Sequence, residues 1–217
     1  IRPINGMIVL ILPFAADDLA SFKKGSATLF RDRICLMSGV CLFFAVVSIQ
    51  LIVYKISTGS FFIYSYGEEG FDLFSTHFVD ILFSYKKGLF VYTPLLFLSL
   101  FGGYSLWRSS RYKFFSWFGF FFIMTYVLSS WWMWYYGGSF SSRVYVEYIP
   151  LFMILLAISV DSIRSKILGR SYVLLIALLI IICQIQTYQY RYYHIHWSDM
   201  TKAKYWSVFL RIDELIE

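Results

Sequence analysis

The chain has 217 residues, of which 59% are hydrophobic, 22% aromatic and only 15% charged, and its mean hydropathy is +0.65. Soluble domains carry charge on about one residue in four, so this composition leaves too little polar surface to coat a water-soluble globule of this size. The net charge of +6 and the pI near 9.1 do not indicate a nucleic-acid binder, because no basic cluster is interleaved with polar stacking residues; in a membrane protein, basic excess reports topology.

The first residue is Ile, and Arg2-Pro3 leads directly into an apolar run over residues 4–16. A signal peptide would show a basic region, a short apolar core and small residues at a cleavage site. Here Asp17-Asp18 and a basic loop follow the run, which reads as a truncated transmembrane helix. Residues 1–217 are therefore expected to form a single transmembrane domain, the C-terminal part of a larger membrane protein.

Five further stretches lack Asp, Glu, Lys and Arg: residues 34–54, 89–107, 114–134, 148–160 and 172–190. A bilayer core requires roughly 20 apolar residues in a helix, and all but 148–160 meet that length. The expected fold is all-α, a polytopic transmembrane helical bundle of about six spans with outer-face loops and an interfacial helix. Cys35, Cys41 and Cys183 fall inside apolar spans and are read as small hydrophobes; their spacing fits no zinc pattern.

Six spans divide the chain into alternating loops. The short set, residues 15–33, 108–113 and 161–171, holds ten basic residues in 36 positions. The long set, residues 1–3, 55–88, 135–147 and 187–217, holds nine in 81. The positive-inside rule assigns the short set to the cytoplasm, so the long loops and the C-terminal tail are expected outside.

In the first outer loop, Phe74, Phe78 and Leu82 recur every four positions with Leu73, Ile81 and Tyr85 beside them. That spacing predicts a helix over 72–85, lying in the interface or capping the bundle. Lys86-Lys87-Gly88 follows on the outer side, where paired lysines either snorkel to the headgroups or bind a phosphate as point charges. Gly102-Gly103 allows two helices to approach closely, or is ordinary packing.

The second outer loop, residues 131–143, reads WWMWYYGGSFSSR, and Glu147 follows. Interfacial enrichment accounts for several of the aromatics but not for the Gly-Gly break or the lone Arg143. Residues 148–160 would span about 20 Å as a helix, short of a core about 30 Å thick, so that helix must begin earlier or stop short. Extended backwards, it places Arg143 and Glu147 four apart on one face, as a functional site or as an ion pair closing the loop. Pro150 suits a first turn and would kink a helix that starts earlier. In the tail, His194 and His196 flank Ile195 without a third ligand in register, so no metal is expected. Tyr205, Phe209, Ile212 and Ile216 recur at helical spacing, consistent with a surface helix.

Residues 82–94, LFSYKKGLFVYTP, and the aromatic-Gly-Gly-Ser-Phe-x-x-Arg pattern of 131–143 resemble segments of the large bacterial membrane glycosyltransferases of the GT-C type, relatives of the protein mannosyltransferases and aminoarabinose transferases. Arg2-Pro3-x-Asn5 before an apolar run looks like one of their middle helices. Residues 66–71, YGEEGF, and the tail over 196–209 look like members from Bacteroidetes-type bacteria. Such relatives often carry Gly after the Phe of the second pattern, where this chain has Ser141-Ser142.

The resemblance implies transfer of a sugar from a polyprenyl-phosphate donor to a lipid, glycan or protein acceptor at the outer face of a bacterial inner membrane, with membrane lipids as surroundings and no cofactor. It also implies a catalytic base in a first outer loop upstream of residue 1. For a lipid-phosphate leaving group, cations at the outer interface stabilise the developing charge. Lys86, Lys87 and Arg143 are the candidates, Arg143 for its fork geometry. Glu69 or Glu147 would orient a sugar hydroxyl or hold the Arg, and Tyr85, Trp134 and Tyr136 would stack on a sugar or line a lipid groove. The rival reading is a transporter or flippase for lipid-linked sugars. Such proteins usually carry ionisable residues at mid-membrane or broken-helix repeats, which the charge-free spans lack.

Overall fold

A computed structural model describes residues 3–62 and 69–211. Arg2, the 66–68 part of the YGEEGF stretch, Ile212 and Ile216 lie outside them. The described chain is all-helical, with no strand and one isolated antiparallel bridge between Phe71 and Trp131. Three helical segments are long and apolar enough to cross a membrane by length and composition: Arg33–Thr58, Arg143–Asp161 and Lys166–Arg191. These fit a membrane protein; the other expected spans take different forms.

Residues Pro3–Ala15 wind as a 3-10 helix with Pro13 inside it. Helix α1, Leu19–Arg31, starts at Asp18, whose carboxylate accepts from the Ser21 amide at 2.7 Å. Asp32 then closes α1 and opens α2, Arg33–Thr58, by accepting from the Cys35 amide at 3.0 Å. Gly59 ends α2 in the left-handed region at φ +79°, where an L side chain is strained. No residue of α2 is buried, so its apolar surface is turned away from the rest of the chain. Cys35 and Cys41 are exposed on it and Cys183 is half-buried.

The expected helix over 72–85 shrinks to α3, Phe78–Phe83. Asp72 competes with helix formation by accepting from the amides of Phe74 and Ser75, a local turn typical of Asp, and Phe74 is fully exposed. The charge-free stretch 89–107 is no single span. It divides into α4 (Leu89–Tyr92), α5 (Pro94–Ser99) and α6 (Gly102–Ser109). Pro94 lacks the amide a continuous helix needs and fits the first turn of α5 instead.

Helix α7, Arg111–Ser129, starts at Ser110, whose hydroxyl accepts from the Lys113 amide, and forms the centre of the core with Trp117, Phe120, Phe121, Met124 and Leu128. A 3-10 helix, Arg143–Tyr148, leads into α8, Ile149–Asp161, with Pro150 in its first turn. The tighter winding resolves the shortness of 148–160. Six residues at about 2.0 Å and thirteen at about 1.5 Å reach roughly 31 Å, near the thickness of a bilayer core. Helix α9, Lys166–Arg191, is capped by Ser165, and α10, Lys202–Val208, by Thr201.

The main core joins α3 to α8: Ile81, Phe90, Leu96, Leu106 and Leu155 pack around the α7 aromatics. Trp117 donates to the Leu151 carbonyl at 3.2 Å, and Tyr145 to Thr125 at 3.0 Å. Gly102 is a contact point between α6 and α8, because a Cβ there would lie 2.0 Å from the Leu155 carbonyl oxygen. A smaller cluster of Tyr92, Ile195, Met200 and Tyr205 fastens the tail to α4. Tyr205, on the stripe expected to mark a surface helix, is 4% exposed, while Lys202, Ala203, Lys204, Trp206 and Ser207 around it are exposed. The helix thus lies on the surface with one buried face, and it ends at Val208, before Phe209.

Candidate functional site

The segments read as outer loops meet at one end of the helical bundle. Lys87 stands at their junction. It is 1% exposed, its Nζ donates to the Gly137 carbonyl, and it donates to Ser139 Oγ at 2.8 Å. Two features of the local sequence permit this. Gly88 follows, where a Cβ would strike the Ser84 backbone at 2.5 Å. Tyr136 and Gly137 take left-handed φ values of 53° and 66°, which turns the Gly137 carbonyl toward the lysine.

Burial chiefly, then Arg143, then Lys86 lower the Lys87 pKa from 10.5 to about 8. Arg143 and Lys86 are therefore each close enough to be felt at Lys87. Arg143 is exposed, and Ser142 beside it donates to the carbonyls of Lys87 at 2.9 Å and Ile81 at 3.1 Å. The ammonium of Lys86 lies over the Tyr135 ring, 3.5 Å from its centroid. That contact is cation–π.

The aromatic candidates divide. The Tyr85 hydroxyl accepts from Trp206 at 3.3 Å, and its ring packs against Tyr205, so it joins the cation cluster to the tail. Trp134 stacks on His77 at 5.7 Å and meets Tyr135 edge-on. Tyr136 folds back instead, its hydroxyl donating to the Leu128 carbonyl at the end of α7 at 2.7 Å. Its hydroxyl thereby anchors the loop to α7.

The carboxylates are placed differently from the sequence expectation. In the 3-10 helix Arg143–Tyr148, residues four apart are rotated by about 120°, so Arg143 and Glu147 do not share a face as they would in an α-helix. Glu69 is exposed and precedes Gly70, whose carbonyl accepts from the Trp132 amide at 3.1 Å. It thus stands at the seam between the two outer loops.

The site also contains groups the sequence did not single out. The Trp197 ring lies 6.0 Å from Lys87 Nζ, bringing the tail over the buried lysine across more than a hundred residues. His77 Nδ1 and Asp80 Oδ2 share a hydrogen bond of 2.9 Å at the start of α3, beside Trp134. The Ser139 and Ser142 contacts were hidden because serine in a loop carries no signal of its partner. His-x-x-Asp spacing was visible in the sequence, but only the Trp134 contact ties it to the site.

Compared with protein-family models, with curated proteins and with solved structures, the chain matches none.

Proposed function

We propose that this chain is part of a membrane glycosyltransferase that takes a sugar from a polyprenyl-phosphate donor and passes it to an acceptor hydroxyl at the outer face of a bacterial inner membrane. The observation that carries this reading is the grouping of Lys86, Lys87 and Arg143 under an aromatic rim of Tyr85, Tyr135 and Trp197. Lys87, buried and donating to Gly137 and Ser139, contributes its charge to the site. Arg143 supplies a planar fork suited to phosphate oxygens.

In the proposed reaction the acceptor oxygen forms a bond to the anomeric carbon as the bond from that carbon to the phosphate oxygen breaks. The acceptor proton passes to a general base, and the polyprenyl phosphate leaves as an anion. The cations act on that leaving group, where negative charge develops. Trp134 and Tyr135 offer ring faces for a sugar. The proposal includes about six spans in this chain, with the long loops on the outer side.

The test uses the full-length protein in proteoliposomes with a labelled polyprenyl-phosphate hexose. Arg143→Ala should abolish sugar transfer while membrane insertion is retained; full transfer in that variant would refute the phosphate role. Appearance of intact labelled donor on the opposite leaflet, with no cleavage of the sugar–phosphate bond, would favour a flippase.

A further inference from the structure

At the other end of the bundle a cavity of about 580 Å³ is lined by Tyr104, Ser105, Arg108, Asp161, Ser162 and Arg164. Two chain paths lead there from the cation cluster: Lys87 through α4, α5 and α6 to Arg108, and Arg143 through α8 to Asp161. We propose that this cavity seats the phosphodiester headgroup of an anionic phospholipid. The inference rests on the membrane reading of the long apolar helices and is independent of glycosyl transfer.

The wall is built for an anion. Two guanidiniums line it, and among the described residues neither is ion-paired, although Asp161 shares the cavity. Arg108 Nη1 donates to the Tyr104 hydroxyl at 3.2 Å, which orients the fork and leaves the phenol its own proton to give. Ser162 is committed inward, donating to the Ser159 carbonyl at 2.8 Å, so the arginines and Tyr104 are the main donors. Arg111 on one side in sequence and Lys166 and Arg170 on the other add positive field, whereas Lys113 is paired with Asp17 at 2.8 Å.

A soluble phosphate would satisfy the arginines equally well; the surface beside the cavity favours a lipid. Phe97 packs edge-on against Phe101 where α5 gives way to α6, and Tyr104 of α6 lies under the Arg108 guanidinium, 5.8 Å from its ring centroid. Phe97, Phe101 and Tyr104 are 45%, 62% and 66% exposed. The surface therefore runs from apolar aromatics to a guanidinium, the order a phospholipid presents from acyl chain to phosphate. Basic pockets between membrane helices hold anionic headgroups by this arrangement.

The full chain in neutral detergent is titrated with dioctanoyl phosphatidylglycerol, dioctanoyl phosphatidylcholine and inorganic phosphate, and binding is read by native mass spectrometry. Phosphatidylglycerol should bind in preference to both other probes, and Arg108→Gln with Arg164→Gln should weaken it about tenfold or more. Asp161→Asn removes a competing carboxylate and should tighten it, which keeps the test decisive if the double variant misfolds. Phe101→Ser should weaken phosphatidylglycerol binding, because it removes the acyl-chain surface. Equal binding of phosphatidylcholine, inorganic phosphate binding as tightly as the lipid, or unchanged affinity in Asp161→Asn would each overturn the proposal.

Discussion

Lys87 Nζ and Ser139 Oγ, 52 positions apart in sequence, are joined by a 2.8 Å hydrogen bond in which a fully buried ammonium ties the loop after α7 to the segment after α3. Lys87→Met keeps much of the stem and removes the charge. Sugar transfer should fall at least tenfold, while amide hydrogen exchange over residues 137–142 rises. Transfer that survives with a loosened loop would assign the lysine to tethering alone.

The same lysine sets a pH dependence. Its pKa is depressed to about 8 by burial first and by Arg143 and Lys86 second, so between about 8 and 10.5 the folded protein holds fewer protons here than the unfolded chain. Its contribution to stability therefore rises with pH across that window and is least favourable below it. Phosphate binding runs the opposite way, because it needs the cation. The donor KM should climb as pH passes about 8, and Lys87→Arg should move that limb to higher pH. A profile that is flat from pH 7 to 9 in the native protein would argue against a charged Lys87 in the donor site.

Ser141 occupies the left-handed region at φ 53°, and its buried hydroxyl has no hydrogen-bond partner among the described residues. Glycine adopts this conformation without the roughly 1–2 kcal/mol cost borne by other L-residues. Ser141→Gly should raise the melting temperature in detergent by a few degrees.

Gly102 and Gly103 make a paired experiment. A Cβ on Gly102 meets the Leu155 backbone at 2.0 Å, whereas one on Gly103 meets the rotatable ring of Phe118 at 2.5 Å. Gly102→Ala should push α6 and α8 apart and cost about 1–3 kcal/mol, outweighing any gain in helix propensity. Gly103→Ala should be markedly milder. Thermal unfolding followed by tryptophan fluorescence would read both, and equal losses would contradict the proposed close approach of the backbones.

The tail is held through Tyr205, whose hydroxyl accepts from Gln186 Nε2 at 2.6 Å in a buried setting. Tyr205→Phe leaves that amide without its partner, at a cost of about 1–3 kcal/mol. Limited proteolysis should then cut near residue 200 sooner than in the native chain.

Elements carried by local physics were legible in the sequence. The apolar runs of α2 and α9 are uninterrupted and flanked by caps, and both appear as long helices. The stretch 89–107 misled because freedom from charge is a criterion of composition, while Pro94 and the Gly102 contact decide how the backbone runs. The shared face expected for Arg143 and Glu147 is absent for a subtler reason. Four-residue spacing presumes an α-helix, and the chain is wound more tightly there. For the candidate site, the motif residues Lys86, Lys87 and Arg143 could be picked out because cations are rare here. The tail partners Trp197 and Trp206 could not, since nothing in a local pattern specifies a contact made more than a hundred residues away.

The bridge between Phe71 and Trp131 couples two stretches that touch the candidate site from different sides. The Asp72 and His77 amides donate to the carbonyls of Ser130 and Ser129, the Trp132 amide to that of Gly70, and the Tyr126 hydroxyl to that of Leu73. Tyr126, Ser129 and Ser130 belong to the end of α7, so most of these bonds pin residues 70–77 to the core helix from which the aromatic loop departs. A molecule that displaces the aromatic loop would strain the bond between Trp132 and Gly70 first, and the disturbance would be felt as faster exchange at the Trp132 amide while Asp72 and His77 stay protected.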